Sequence, residues 1–150
     1  MILRALVPLF ALACGAAAAT GAQAMQWRWT CTGPGLEAKG AFTTEDAPDA
    51  DGFYAITSVT GEANGAAITQ LQAAGTAIPG NEGWPVANRV RAHKPELPPA
   101  GFGFALANGT YVNPFFGARF KPPGFLAVIT DPAHGKWREP RVKFEARPMP

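Results

Sequence analysis

Residues 53–71 read FYAITSVTGEANGAAITQL, and this stretch decides the fold class. From Phe53 to Thr60, two sets of side chains alternate at every second position, which is the period of a β-strand. Asn64-Gly65 separates this run from a second one, Ala66–Leu71. Asparagine and glycine both tolerate the positive φ that a two-residue hairpin turn requires. The stretch therefore predicts two antiparallel strands joined by a tight turn.

The same combination of strand patterns and turn residues recurs along the chain. Asp51-Gly52 precedes the run that starts at Phe53, and Asn108-Gly109 separates a strand pattern at 102–106 from one at 110–112. No stretch keeps apolar residues at helical spacing for more than about two turns. We therefore predict an all-β fold: one antiparallel, hairpin-rich domain of about eight or nine short strands, barrel-like or a sandwich. The predicted strands lie near 26–32, 35–43, 53–61, 66–71, 85–91, 101–107, 110–116, 124–130 and 141–146.

The composition excludes several classes of protein. The chain has 150 residues with 17 Gly and 15 Pro, 16% of it is charged, and its formal net charge is +2. Coiled coils and other long-helix architectures need many charges and few helix breakers. The 10 Phe, 4 Trp and 2 Tyr can bury much apolar surface, which argues against disorder. So small a net charge also argues against nucleic acid as a partner.

Residues 1–24 have the features of a secretory signal peptide. Arg4 is followed by a short apolar stretch, and Ala22-Gln23-Ala24 forms an A-x-A-like cleavage site. The apolar stretch is far shorter than the ~20 residues of a membrane-spanning helix, and no later stretch supplies one. We therefore expect a periplasmic or extracellular domain over residues 25–150. A competing interpretation places a lipid anchor on Cys14, because small and apolar residues precede it as in bacterial lipoproteins.

Several turn and strand motifs resemble those of a family of small exported bacterial β-proteins. The motifs are four stretches, Gly40–Thr44, Asp51–Gly61, Asn64–Ile68 and Gly101–Phe104. Members of this family are uncharacterised, and some carry a C-terminal PEP-CTERM sorting tail. The resemblance implies an exported β-fold and supplies no catalytic residues. Since 147–150 read RPMP without the apolar anchor of such a tail, sorting by that route is not expected here.

Residues suited to catalysis are sparse. The histidines are His93 and His134, a Gly-x-Ser-x-Gly elbow is absent, and Ser58 falls inside a strand pattern. A Cys31–His134 pair would supply a thiol nucleophile and its base, but nothing local supports it. Two carboxylates would suit glycoside hydrolysis, and the candidates are Glu62, Glu82, Glu96 and Asp131. Their spacing selects no pair, so we favour a protein that is not an enzyme.

Cys31 is the only cysteine after residue 24, so the mature chain cannot form an internal disulfide. A cysteine between strand residues is most often a small buried hydrophobe. The alternative is a thiol that reacts or cross-links two chains. We favour the buried thiol.

The acidic segment at 45–52 contains a candidate calcium site. Asp49-Ala50-Asp51-Gly52 matches part of a calcium loop, in which alternate carboxylates reach the cation and glycine permits the turn. Ala47 occupies a position where an oxygen ligand is needed. We therefore interpret the segment as a solvated hairpin loop and expect no cofactor, with calcium at Asp49 and Asp51 as the alternative.

Aromatic side chains near predicted loops suggest a binding site. Trp84 lies in a Pro/Gly-rich loop beside Asn81 and Glu82, and Tyr111 and Asn113 follow a hairpin turn. The mouth of a barrel or the end of a sandwich would present such rings to a ligand. We therefore predict an exported, non-catalytic domain that binds a small molecule, a glycan or an envelope protein. The alternatives are a small hydrolase or isomerase with a site built from loops, and a structural component of the cell envelope or matrix.

Overall fold

A computed structural model describes residues 23–150, and this part of the chain is a single all-β domain. The domain has ten strands, numbered in chain order. They are β1 (Met25–Gly33), β2 (Leu36–Thr44), β3 (Tyr54–Ala63), β4 (Ala66–Leu71), β5 (Arg89–Val90), β6 (Phe104–Leu106), β7 (Tyr111–Gly117), β8 (Gly124–Asp131), β9 (Lys136–Arg138) and β10 (Lys143–Pro148). A short 3-10 turn, Pro132–His134, joins β8 to β9. The predicted fold class is confirmed, whereas Cys14 and all but the last two residues of the predicted signal peptide lie outside the described residues.

The strands form one antiparallel sheet that curls into a half-barrel. Along the sheet the order is β10-β1-β2-β3-β4-β6-β7-β8-β9, and β5 pairs with β3. The segment 136–148 joins the two ends of this order, because β9 pairs with β8 and β10 pairs with β1. Between these two pairings, the amide of Val142 donates to the carbonyl of Phe125 over 3.0 Å. Of the two architectures that the sequence leaves open, the structure takes the barrel-like one.

The hairpin that decided the fold class forms as predicted. Ala63 pairs with Ala66, so Asn64 and Gly65 are the only residues of the turn. Both have positive φ, 50° and 80°, which is the geometry that matches the twist of the flanking strands. Gly109 likewise has a φ of 85° in the turn between β6 and β7.

Two predicted strands are much shorter than expected, and one strand was missed. The pattern at 85–91 yields only β5, and the pattern at 101–107 yields only β6. The reason is Asn88, whose positive φ of 52° interrupts the extended backbone. Its side chain bonds outside any strand pair: Nδ2 donates to the carbonyl of Gln72, and Oδ1 accepts from the amide of Gly103. The connection between β4 and β6 is therefore folded onto itself. The three-residue β9 was too short to give a pattern.

The inside of the half-barrel is filled by aromatic rings. Residues of β1 alternate between buried and exposed, so Trp27, Trp29 and Cys31 face inward. The indole of Trp29 stacks on Phe42 at 5.4 Å between ring centroids and meets the edge of Phe102 at 5.5 Å. Such pairs add about 0.5–1.5 kcal/mol each to the stabilisation that comes from buried area. The interior is thus packed rather than hollow, and a ligand has to bind at an end or on the outside.

The connection between β4 and β6 covers the outer face of β8. Ala127 and Ile129 belong to the core, and Val128 and Thr130, which alternate with them, are buried as well. The hydroxyl of Thr130 donates to the carbonyl of Pro79 in that connection over 2.7 Å. β8 is therefore packed on both faces, as a central strand of a three-layered region would be.

Candidate ligand-binding site

Four connections between strands meet at one end of the half-barrel, which we call the turn end. Antiparallel strands reverse at every turn, so β1–β2, β3–β4, β6–β7 and β8–β9 are all joined at this end. Asn64 links two of the turns, because its Oδ1 accepts from the amide of Glu37 over 2.8 Å and its Nδ2 donates to the carbonyl of Gly35 over 2.9 Å. Arg138 adds a third, donating to the carbonyls of Pro34 and Gly35 over 2.9 and 2.6 Å. These bonds fix the turns relative to one another.

A cleft of about 220 Å³ opens between these turns, and we call it the turn-end cleft. Its apolar lining consists of Ala63, Leu106 and Ile129, which are buried residues of the core. The rest of the lining carries polar groups and one indole ring, and it consists of Asn64, Asn108, Thr110, Asp131, Lys136, Trp137 and Arg138. Drug-sized ligands occupy sites of about 300–1,000 Å³. The cleft therefore suits a small ligand or one end of a larger one.

Trp137 is the largest exposed group of this lining. Its side chain is 54% exposed, since β9 is a three-residue strand whose residues all face solvent. An indole ring offers a flat apolar surface and a single N–H donor. Beside it, the amide of Asn108, the hydroxyl of Thr110 and the ammonium of Lys136 supply further hydrogen-bonding groups. Trp137 lies opposite Thr130 in the β8–β9 ladder, so its ring leaves β9 on the outer face, at the rim of the cleft. The rim thus combines an apolar ring with polar groups of both donor and acceptor type.

Asp131 and His134 form a contact at the edge of the cleft. The Nδ1 atom of His134 lies 2.8 Å from Oδ2 of Asp131, within the 3-10 turn that joins β8 to β9. A carboxylate at this distance orients an imidazole, as in a catalytic pair. Among the ten residues that line the cleft, Thr110 carries the only hydroxyl, and none carries a thiol. The contact brings together two of the predicted acid–base residues without an activated nucleophile beside them.

The residues predicted for ligand binding lie elsewhere. None of Trp84, Asn81, Glu82, Tyr111 and Asn113 lines the turn-end cleft. Trp84 is 71% exposed, whereas Asn81 is buried. Glu82 accepts a hydrogen bond from the backbone of its own loop, and that bond lowers the pKa of its carboxyl. Asn113 is buried and donates to three backbone carbonyls, so its amide holds the neighbouring chain in place. Whether the five residues bind a ligand stays a prediction.

Tyr111, Asn113 and the loop of Trp84 are brought into the same neighbourhood, and Asn113 lies opposite Val128 of β8. Tyr111 lies opposite Thr130 in the β7–β8 ladder. The hydroxyl of Thr130 in turn holds the loop through Pro79. The structure therefore places the predicted residues around β8, on the outer side of the sheet.

The carboxylates of the calcium candidate are engaged by nitrogen donors. Oδ1 of Asp49 accepts from the amides of Asp51 and Phe53 over 2.9 and 3.0 Å, and Oδ2 lies 3.2 Å from the Arg89 guanidinium. These bonds close the loop between β2 and β3. Within residues 23–150, no three His, Cys, Asp or Glu side chains are grouped as metal ligands would be. The geometry agrees with the interpretation of a solvated hairpin loop, and calcium binding there stays an untested alternative.

The remaining candidates for catalysis are separated. Cys31 is buried and free, as predicted, and burial raises the pKa of its thiol to about 12, so the thiolate nucleophile does not form at neutral pH. Glu62 is exposed on the outer face of the sheet, where its carboxylate lies 3.8 Å from Nζ of Lys39. Glu96 is buried, with Nζ of Lys94 3.9 Å from its Oε1.

Comparison with protein-family models, curated proteins and solved structures finds no match for this chain. In the described part of the chain, no helix has the length and apolar character needed to cross a membrane.

Proposed function

We propose that this chain is an exported, non-catalytic β-domain that binds a small saccharide or a saccharide end in the turn-end cleft. The observation that carries the proposal is the exposed ring of Trp137 at the outer rim of a cleft that has apolar core residues at its base and polar groups around it. Export is supported by the signal-like sequence at 1–24.

A saccharide matches this arrangement because a sugar ring has both apolar and polar surfaces. Its C–H groups can lie on an indole face, while its hydroxyls exchange hydrogen bonds with amide, carboxylate and ammonium groups. Asn108, Asp131 and Lys136 supply one group of each kind. The bonds of Asn64 and Arg138 to the neighbouring turns hold the lining in place before a ligand arrives, which reduces the entropic cost of binding.

The proposal predicts that Trp137→Ala weakens saccharide binding. A panel of mono- and disaccharides is screened by the intrinsic fluorescence of the wild-type protein, and any hit is then titrated calorimetrically against the variants. Loss of the ring should weaken binding at least about 10-fold, equivalent to about 1.4 kcal/mol. Trp84→Ala removes the more exposed indole outside the cleft and is the matched control, for which we expect unchanged affinity.

Two results would contradict the proposal. Equal weakening by Trp84→Ala would move the site to the loop at 78–86, and no binding across the panel would remove the saccharide. Hydrolysis of a glycoside by the wild-type protein and not by His134→Ala would favour the hydrolase alternative, to which the Asp131–His134 contact points.

A further inference from the structure

Two arginines face each other across the strands β1 and β10. Arg28 and Arg147 are directly opposite in the antiparallel register. Both are exposed. Arg28 lies between the inward-facing Trp27 and Trp29, and Arg147 follows the inward-facing Ala146, so both arginine side chains extend from the outer face of the sheet. Like charges in directly opposite positions destabilise a strand pair. The Arg28–Arg147 pairing therefore lowers the stability of the sheet, and a bound anion would explain why two arginines occupy these positions.

Two acidic residues of the same strands and their neighbours, Glu145 and Glu62, are paired with lysines. Glu145 lies 3.5 Å from Lys143, and Glu62 lies 3.8 Å from Lys39. In the described part of the chain, no carboxylate comes within 4.0 Å of either Arg28 or Arg147. The two guanidinium groups are therefore in surplus on this face.

A hollow of about 520 Å³ adjoins Arg28 on the same face, and we call it the outer hollow. It lies where Gly40 of β2 pairs with Gly61 of β3. A Cβ at Gly40 would collide with the carbonyl oxygen of Thr60, and Gly61 has a φ of 139°, so both positions require glycine. The backbones of β2 and β3 therefore approach closely under the hollow, and the room above them is open. Arg28, Thr30, Lys39 and Glu62 provide the polar groups around that room.

We propose that the outer hollow is a second binding site, for a small molecule that carries an oxyanion. Its carboxylate or phosphate group is held between Arg28 and Arg147, and its body lies in the hollow beside Thr30 and Lys39. Guanidinium groups suit this task, because their planar N–H forks match the geometry of carboxylate and phosphate oxygens. An anion between the two arginines also removes their mutual repulsion. This site lies on the face of the sheet and is independent of the turn-end cleft.

The test uses inorganic phosphate and citrate as probes, titrated calorimetrically at low ionic strength, where charge pairing at an exposed site is least screened. We expect Arg28→Gln and Arg147→Gln each to weaken binding of the probe at least about 10-fold. Arg119→Gln alters an exposed arginine outside the hollow and should bind as the wild type does. Binding of phosphate alone identifies a phosphate ligand, and binding of citrate alone a carboxylate ligand. Equal affinity of all three variants for the probe, or no binding of either probe to the wild type, overturns the proposal.

A second measurement separates binding from a structural role. Without added anion, Arg147→Gln should raise the melting temperature, because it relieves the repulsion. Phosphate should raise the melting temperature of the wild type and leave that of the variant unchanged. A lower melting temperature of Arg147→Gln without anion would mean that Arg147 stabilises the sheet, and the inference would be wrong. Saccharide binding at the turn-end cleft should survive Arg28→Gln, so failure of one site is distinguishable from failure of the other.

Discussion

At the scale of single residues, Cys31 shows how burial sets chemistry. Its side chain is fully buried in β1, and the absence of solvent around a thiolate raises its pKa from 9.0 to about 12. Because the pKa of the folded state lies above that of the unfolded state, the neutral thiol's contribution to stability is complete below about pH 9 and is lost as the pH rises toward 12. The free energy of unfolding of the wild type should therefore fall more steeply between these pH values than that of Cys31→Ala.

Iodoacetamide should modify the buried thiol of Cys31 only after denaturation. Rapid modification of the native protein at pH 8 would contradict the burial of this thiol and would favour the alternative of cross-linking through Cys31.

Trp84 and Trp137 show why the candidate site could not be chosen from sequence. Both indoles lie close to glycine or proline in the sequence, so local sequence gives no reason to prefer either as a ligand-binding residue. Both are also exposed in the structure. What distinguishes Trp137 is its position beside Ala63, Leu106 and Ile129, which come from three different strands. That neighbourhood arises from the order of strands in the sheet, which sequence alone does not give.

At the scale of elements, the hairpin β3–β4 is held by more than its turn geometry. Asn64 accepts and donates hydrogen bonds that tie this hairpin to the one formed by β1 and β2. Asn64→Ala loses these bonds and places a side chain that disfavours positive φ at 50°, so we expect a loss of about 1–2 kcal/mol of stability. Asn64→Gly keeps the backbone freedom and should recover part of that loss. Asn108→Ala, which removes one local bond to the amide of Thr110, is the control, and equal losses in urea unfolding of Asn64→Ala and Asn108→Ala would contradict the role of Asn64 between hairpins.

The elements that could be predicted are those whose signal is local. Asn64-Gly65 carries its conformation in two adjacent residues, and that turn formed as predicted. At Asn108-Gly109 the reversal is confirmed, but only Gly109 has positive φ and the loop contains three residues, 107–109. The strand patterns at 85–91 and 101–107 failed because Asn88 takes its partners from Gln72 and Gly103, outside any ladder. The β-propensity of a segment leads to a strand only where a neighbouring strand is available for pairing, and these two segments pair over two or three residues only.

At the scale of the whole molecule, the curl of the sheet depends on contacts between distant parts of the chain. Arg138 reaches the β1–β2 turn across more than a hundred residues, with 2.9 Å to the carbonyl of Pro34 and 2.6 Å to that of Gly35. No local pattern predicts such a contact, because its two partners are brought together only when β9 pairs with β8 and β10 pairs with β1. The choice between barrel and sandwich was therefore open in the sequence.

Arg138→Ala should loosen this closure. The variant leaves the carbonyl of Pro34 to solvent, while that of Gly35 keeps its bond from Asn64, and it frees β9 from the β1–β2 turn, so we expect about 1 kcal/mol less stability. Amide exchange should become faster in β9 and in that turn, while the centre of β1 around Trp29 keeps its protection, because the aromatic packing there is untouched. Arg138→Lys retains the charge but cannot form the two-pronged contact, so it should behave like Arg138→Ala. Full stability of Arg138→Lys would mean that a positive charge alone suffices, and uniform faster exchange throughout the sheet would mean that the closure and the core unfold as one unit.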